Sequence, residues 1–279
     1  MGGAFCDIAP RVLESAGHRV VTLHHVVDPD FRSGPPNPAD DANLQAVVGR
    51  VNQQSADLGI ALDGDGDRVV FVDHQGRIAR PEQIAALLVR ESFPRCTLVY
   101  DLKCASIVPR SVDVVGGVAV MQPSGYGFIK AKMIECQADL GVEVSGHHFY
   151  AALDGGDDGL FTALVLLELL YAKGQSLAEL LAPLGWPAIT PDLRIPYHDD
   201  PTATLARIAA SCGGTVSRLD GVRAEYDVGS WALARASITE PAITFRFEGG
   251  DRKELRSIAT RFLCAVPELC QQILERIDE

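Results

Sequence analysis

The sequence predicts an α/β protein: two three-layer α/β/α domains with mixed sheets, then a smaller α+β domain. Three observations carry this. Short apolar runs at 58–62, 69–73, 97–101 and 114–121 alternate with helical periodicity at 41–53, 81–92, 123–138 and 159–172, the order expected of an α/β layer. A proline-rich stretch at 184–191 reads as a linker. Beyond it, strand patterns at 193–196, 223–227, 231–236 and 242–248 are bounded by helical ones at 201–211, 252–262 and 267–276. The expected domains are 1–76, 77–190 and 191–279.

Taken in order, a first helix carries Ile8, Val12 and Leu13 on one face and stops at Gly17, a C-cap residue. The β-prone run 19–24 is expected as a strand. Residues 28–40, DPDFRSGPPNPAD, can only be irregular. Leu44, Val47, Val48 and Val51 give the next helix its apolar face. Pro81 suits a helix first turn. Asp157-Asp158-Gly159 reads as the acidic cap of a long helix, and Ser176-Leu-Ala-Glu179 as a capping box.

Composition narrows the function. The chain has 279 residues, 47% hydrophobic and 22% charged, and a net charge of -12. That charge argues against a broad nucleic-acid or anionic-membrane surface. Seven scattered cysteines without a CxxC pair point to free thiols in a reducing cytoplasm, not to a disulfide framework or a zinc site. The apolar run at 160–170 is too short to span a bilayer.

The stretch GIALDGDGDRVVFVD, residues 59–73, sets three carboxylates at alternate positions between two apolar strands. Asp63, Asp65 and Asp67 repel one another, and a hard divalent cation such as magnesium is the simplest reason to gather them. Gly64 and Gly66 let the loop turn tightly, and Arg68 supplies a charge suited to phosphate. An EF-hand fails, because loop positions six and twelve hold Arg68 and His74 instead of glycine and glutamate. A solvated Asp-Gly hairpin is the plain alternative. Three further polar clusters stand out: Lys103 after a strand, the loop from Glu143 to His147, and Arg235-Ala-Ser237-Ile-Thr239-Glu-Pro. Read singly, each has a bland explanation as a surface lysine, a loop histidine or a turn. His148, Asp154 and the cysteines read as structural.

Together these motifs resemble the α-D-phosphohexomutase family, in particular bacterial phosphomannomutase/phosphoglucomutase. GIALDGDGDR is similar to its magnesium loop, DLKC to its lysine segment, and GYGFIKAKM to its GHSxIKxKM. GVEVSGHHFY with the later DDG is similar to GGEMSGHxFF…DDG, and RASITEP to RASNTEP. The five follow family order over nearly the whole chain. The resemblance implies exchange of phosphate between the 1- and 6-positions of a glucose- or mannose-type hexose through a hexose 1,6-bisphosphate. It implies magnesium on Asp63, Asp65 and Asp67, with a phosphoserine as the remaining protein ligand. It implies Arg68 beside that phosphate, Glu143 and Ser145 on sugar hydroxyls, and Arg235, Ser237 and Thr239 on the non-reacting phosphate. It makes Lys103 and His147 candidates for handling the hydroxyl proton or steadying the substrate.

The sequence departs from the pattern. Tyr126 stands for the family histidine of GHSxIK, where it would face substrate; Gly127 stands for the serine, Val142 for a glycine and Ile238 for the asparagine of RASNTEP. Nothing resembles the serine segment TASHNP, so the resemblance covers domains two to four only. Gly2-Gly3 matches the turn after the second domain's opening strand, and loss of a central strand leaves sheet edges unpaired. The expectation is a phosphohexomutase homologue inactive alone. The alternatives are a non-catalytic sugar-phosphate-binding module, or the C-terminal half of a split mutase partnered by a separate N-terminal phosphoserine domain.

Overall fold

A computed structural model describes residues 2–278 apart from 228, 238 and 239. The chain divides into two compact units, Met1–Cys104 with Val108–Gly185, and Ala105–Ile107 with Trp186–Glu279.

The first unit opens with helix α1 (Ile8–Ser15), closed by Gly17 at φ +92°. A 3-10 turn at Asp41–Leu44, capped by the Asp40 side chain on Ala42 N–H, leads into α2 (Gln45–Gln54). Strands β1 (Leu58–Leu62), β2 (Val69–Asp73) and β3 (Ile78–Ala79) form an antiparallel sheet in that order. Then follow α3 (Pro81–Ser92), β4 (Thr97–Asp101), α4 (Ile107–Val114), β5 (Val118–Gln122), α5 (Tyr126–Cys136), β6 (Leu140–Val142), β7 (His148–Tyr150) and β8 (Gly156–Asp157). These strands make a mixed sheet of order β5-β4-β6-β7-β8, parallel on both sides of β4 and antiparallel beyond β6. Helices α6 (Gly159–Lys173) and α7 (Leu177–Leu181) complete the unit, α6 capped by Asp158 and α7 by the Ser176–Glu179 box. Ala163, Leu166 and Leu169 of α6 pack with Val69 and Phe71 of β2 and Leu87 and Leu88 of α3 in one core. Among the described residues no single helix is long and apolar enough to cross a membrane.

The second unit is built on a six-stranded sheet from β9 (Ala188–Ile189), β10 (Leu193–Pro196), β11 (Thr215–Ser217), β12 (Val222–Asp227), β13 (Ser230–Ala236) and β14 (Ala242–Gly249). Helices α8 (Pro201–Ser211), α9 (Arg252–Phe262) and α10 (Pro267–Asp278) supply Ile208, Phe262 and Ile273 to its core with Phe245 and Phe247. Buried Glu248 ties in segment 105–107: it accepts from Ser106 N–H at 2.8 Å, from the Ser106 hydroxyl, and from Trp231 Nε1–H at 2.6 Å.

The class is the expected one, and the differences are local. Residues 19–24, expected as a strand, form none: among the described residues the backbone of 19–23 pairs with no other backbone group, and a strand needs a partner. The strand expected at 114–121 begins only at Val118, because α4 runs to Val114 and Gly116 turns the chain at φ +70°. Pro109 lies in the first turn of α4, where a missing N–H costs nothing. The stretch expected as a linker contributes β9, paired to the end of β14.

Candidate active site

The acidic loop is the turn between β1 and β2. Asp63 is its bolt. Only 2% exposed, its carboxylate accepts from Gly66 N–H at 2.9 Å, from Arg68 N–H at 3.2 Å and from Arg68 Nε at 2.6 Å. Burial pushes the Asp63 carboxyl up, but the bonds from Arg68 and Gly66 outweigh it and hold it below its ordinary range. Gly66 is required twice over: its φ is +88°, and a Cβ there would lie 2.2 Å from the Phe5 ring. Arg68 also donates to Asn37 Oδ1 at 3.2 Å.

Asp67 is the unsatisfied member. Its Oδ1 is buried without a hydrogen-bond partner among the described residues, and Arg68 Nε lies 3.9 Å away. Burial lifts its carboxyl to about 6, with repulsion from Asp63, Asp65 and Asp157 adding and His147 opposing. One oxygen from each of Asp63, Asp65 and Asp67 lies within 4.8 Å of the others. Three carboxylates around an unsatisfied buried acceptor fit a hard divalent cation, which would satisfy the acceptor and offset the charge.

A backbone bridge brings the second cluster alongside. Arg68 pairs with His147 in an isolated antiparallel bridge, and Val69 N–H donates to Gly146 O at 3.1 Å. His147 thereby stands among carboxylates: Nδ1 is 2.6 Å from Asp157 Oδ2 and 3.8 Å from Asp67 Oδ2, while Nε2 is 4.0 Å from Glu143 Oε2. Burial would lower its pKa, but the Asp157 bond and the Asp67 and Glu143 charges prevail and raise it. Phe149 stacks on the ring at 5.9 Å and Tyr126 meets it edge-on at 6.5 Å.

Buried Glu143 docks on the start of α5, its Oε1 accepting Gly125 N–H at 2.6 Å. Gly125 has φ +131°, which admits only glycine with ease. Ser145 Oγ lies 3.4 Å from Glu143 Oε2. Burial, then repulsion from Asp101, raise the Glu143 carboxyl; Gly125, His147 and Lys103 oppose. Asp101 accepts Lys103 N–H at 2.9 Å and the Ser124 hydroxyl at 2.6 Å, fixing the turn that carries Lys103.

The first unit thus brings together Asp63, Asp65, Asp67, Arg68, Glu143, Ser145, His147 and Tyr126, with Lys103 within electrostatic reach of Glu143. Arg235 and Ser237 belong to the second unit. There Arg235 pairs with Asp220 at 3.0 Å, its Nε buried with no hydrogen-bond partner among the described residues. Ser237 N–H donates to Ala242 O at 2.9 Å. Thr239 lies outside the described residues. Sequence reasoning passed over Asp157. The DDG motif was the available signal, but its two acids divide the work: Asp158 caps α6 through Phe161 N–H, and Asp157 turns to His147.

Comparison with known proteins identifies the family. The family "Phosphoglucomutase/phosphomannomutase, alpha/beta/alpha domain II" matches residues 1–76, and "alpha/beta/alpha domain III" of the same family matches residues 80–184. A phosphomannomutase/phosphoglucomutase of Pseudomonas aeruginosa is 35% identical over 263 residues, 91% of this chain and 57% of the relative. A phosphoglucomutase of Neisseria gonorrhoeae is 31% identical over 276 residues, covering 95% of this chain and 59% of the relative. The crystal structure of a phosphoglucomutase/phosphomannomutase family protein from Burkholderia thailandensis superposes with a TM-score of 0.87 at 32% identity, over 97% of this chain and 59% of that one. The chain therefore spans under two thirds of the length of these relatives. By its two matched domains, its relatives and its fold, it belongs to the phosphoglucomutase/phosphomannomutase family.

Proposed function

We propose that these residues form the metal- and sugar-binding part of a phosphohexomutase, exchanging phosphate between the 1- and 6-positions of a glucose- or mannose-type hexose through a hexose 1,6-bisphosphate. The observation that carries this reading is the orphaned Asp67 Oδ1 in a three-carboxylate loop, bridged through Arg68 and His147 to the Glu143–Ser145 pair. Asp63, Asp65 and Asp67 would hold magnesium, which supplies charge neutralisation for a transferring phosphoryl group.

The chain's own residues take the remaining roles. Arg68, braced by Asp63 and Asn37, offers guanidinium donors to the reacting phosphate. Glu143 is held at the start of α5 and presents a carboxylate to sugar hydroxyls, with Ser145 beside it. Asp157 occupies Nδ1 of His147, which leaves Nε2 as the nitrogen to exchange the proton of a hexose hydroxyl. Lys103 adds positive charge near Glu143. Tyr126 closes one side of the histidine. In the second unit Arg235 and Ser237, with Thr239, would grip a non-reacting phosphate. The seven free thiols suit a cytoplasmic setting.

The phosphoryl-bearing serine is assigned to a segment other than these 279 residues, so the chain alone binds sugar phosphate without sustained turnover. The test is a mutase assay on glucose 1-phosphate with magnesium and glucose 1,6-bisphosphate, run with the chain alone and with a separately expressed phosphohexomutase N-terminal domain. Turnover is expected only in the second reaction. Sustained turnover by the chain alone contradicts the assignment, and no turnover in either, despite sugar-phosphate binding, favours a binding module.

A further inference from the structure

In the second unit the hairpin turn 218–221, between β11 and β12, closes against β13 beside Arg235. Val222 pairs with Ala234, so Gly221 faces Arg235 across the two strands. Gly221 has φ +81°, and a Cβ there would lie 2.3 Å from Ala234 O and 2.8 Å from Arg235 Cα. A side chain at 221 would push the turn off the strand, so the close approach needs glycine. The residue before it, Asp220, brings Oδ2 to 3.0 Å from Nη2 of Arg235. An Asp-Gly pair in a hairpin is ordinarily a matter of turn geometry alone. Here the aspartate also reaches past its own turn to the guanidinium of the neighbouring strand.

The Arg235 side chain is 14% exposed and that of Asp220 25%. A guanidinium stays charged at any ordinary pH, and burying it requires an opposing charge. Asp220 supplies that charge at one nitrogen. Nε is nonetheless buried with no hydrogen-bond partner among the described residues. An arginine has five N–H donors in a rigid fork, and one carboxylate does not exhaust them. What remains suits a tetrahedral oxyanion.

We infer that Asp220 is a positioning residue for phosphate recognition: held against β13 by Gly221, it fixes the Arg235 guanidinium so that the remaining donors meet a phosphate monoester already in place. The inference rests on the phosphate role proposed above for Arg235. An arginine ordered before its ligand arrives loses less rotamer freedom on binding. The Asp220 carboxylate also repels an incoming dianion. That repulsion is screened, because a quarter of the Asp220 side chain is open to solvent, and the ordering of Arg235 prevails.

The test is Asp220→Asn, which keeps the side-chain shape and removes its charge. In the ligand-free full chain, nitrogen-15 NMR of the arginine Nε–H groups should show the Arg235 proton exchanging about tenfold faster in the variant. Calorimetry with glucose 1,6-bisphosphate in magnesium should show binding about tenfold weaker, and no further loss when Asp220→Asn is added to Arg235→Lys. Three results overturn the proposal. One is unchanged exchange. Another is unchanged or tighter binding, which would make Asp220 a competing counter-ion. The third is an equal loss of affinity in the Arg235→Lys background, which would make the aspartate merely structural. A parent chain that binds no bisphosphate, with the exchange difference intact, refutes the phosphate role of Arg235 and this inference with it; that failure shows in the parent and not in the variant.

Discussion

Replacing Asp67 by asparagine should stabilise the metal-free protein and abolish its response to magnesium. The Asp67 carboxyl, ordinarily near 3.8, is lifted to about 6 by burial and by its acidic neighbours. One pKa unit is worth about 1.4 kcal/mol, so ionisation at neutral pH costs the fold roughly 3 kcal/mol before screening. The side chain is 33% exposed, and solvent reduces this to about 1–2 kcal/mol. The sign follows from proton counting. Between the two pKa values the folded state keeps a proton that the unfolded chain has lost, so stability falls as pH rises through that window and stays low above it. Asparagine removes the fall. In EDTA at pH 7.5, Asp67→Asn should melt a few degrees above the parent, given about 2–4 °C per kcal/mol for a chain of this size. Below the ordinary aspartate pKa the difference should vanish. Magnesium should raise the parent's melting temperature and leave the variant's unchanged. A variant that melts lower in EDTA, or one that magnesium still stabilises, would refute the reasoning.

Three other substitutions probe the scaffold. Asp158→Ala removes the α6 cap on Phe161 N–H and should cost about 1 kcal/mol in a urea melt with unchanged slope; no loss would mean that the cap is dispensable. Glu248→Ala strands the buried Ser106 N–H and Trp231 Nε1–H and should cost about 3 kcal/mol or more; a loss below about 1 kcal/mol would show that those donors find other partners. Asp157→Asn should lower the pKa of His147, because it removes the hydrogen-bonded carboxylate that, against burial, favours the charged imidazole. A proton NMR titration of His147 in metal-free protein reads this directly, and an unchanged midpoint would contradict it.

The sequence carried those parts of the fold and site that depend on neighbours along the chain. The alternating acids and glycines of residues 63–67, the proline opening α3 and the Ser176–Glu179 box are short-range patterns, and each forms where expected. The run 19–24 misled because its β-branched residues announce a strand, whereas strand formation needs a partner distant in sequence. Pro109 hid α4, because a proline in a first turn reads the same as a breaker. Asp157 was invisible in its role because nothing in DDG says which acid turns back ten residues to His147. The orphaned Asp67 Oδ1 is likewise a tertiary fact.

The most direct test of the central claim is a thermal melt in magnesium with and without glucose 1,6-bisphosphate. A ligand at a hundredfold excess over its dissociation constant adds about 2.7 kcal/mol to the folded state. The account predicts a rise of several degrees that needs magnesium and is lost in Asp67→Asn. A melting temperature indifferent to the bisphosphate, or a rise that survives without metal and in the variant, would contradict a metal-dependent sugar-phosphate site.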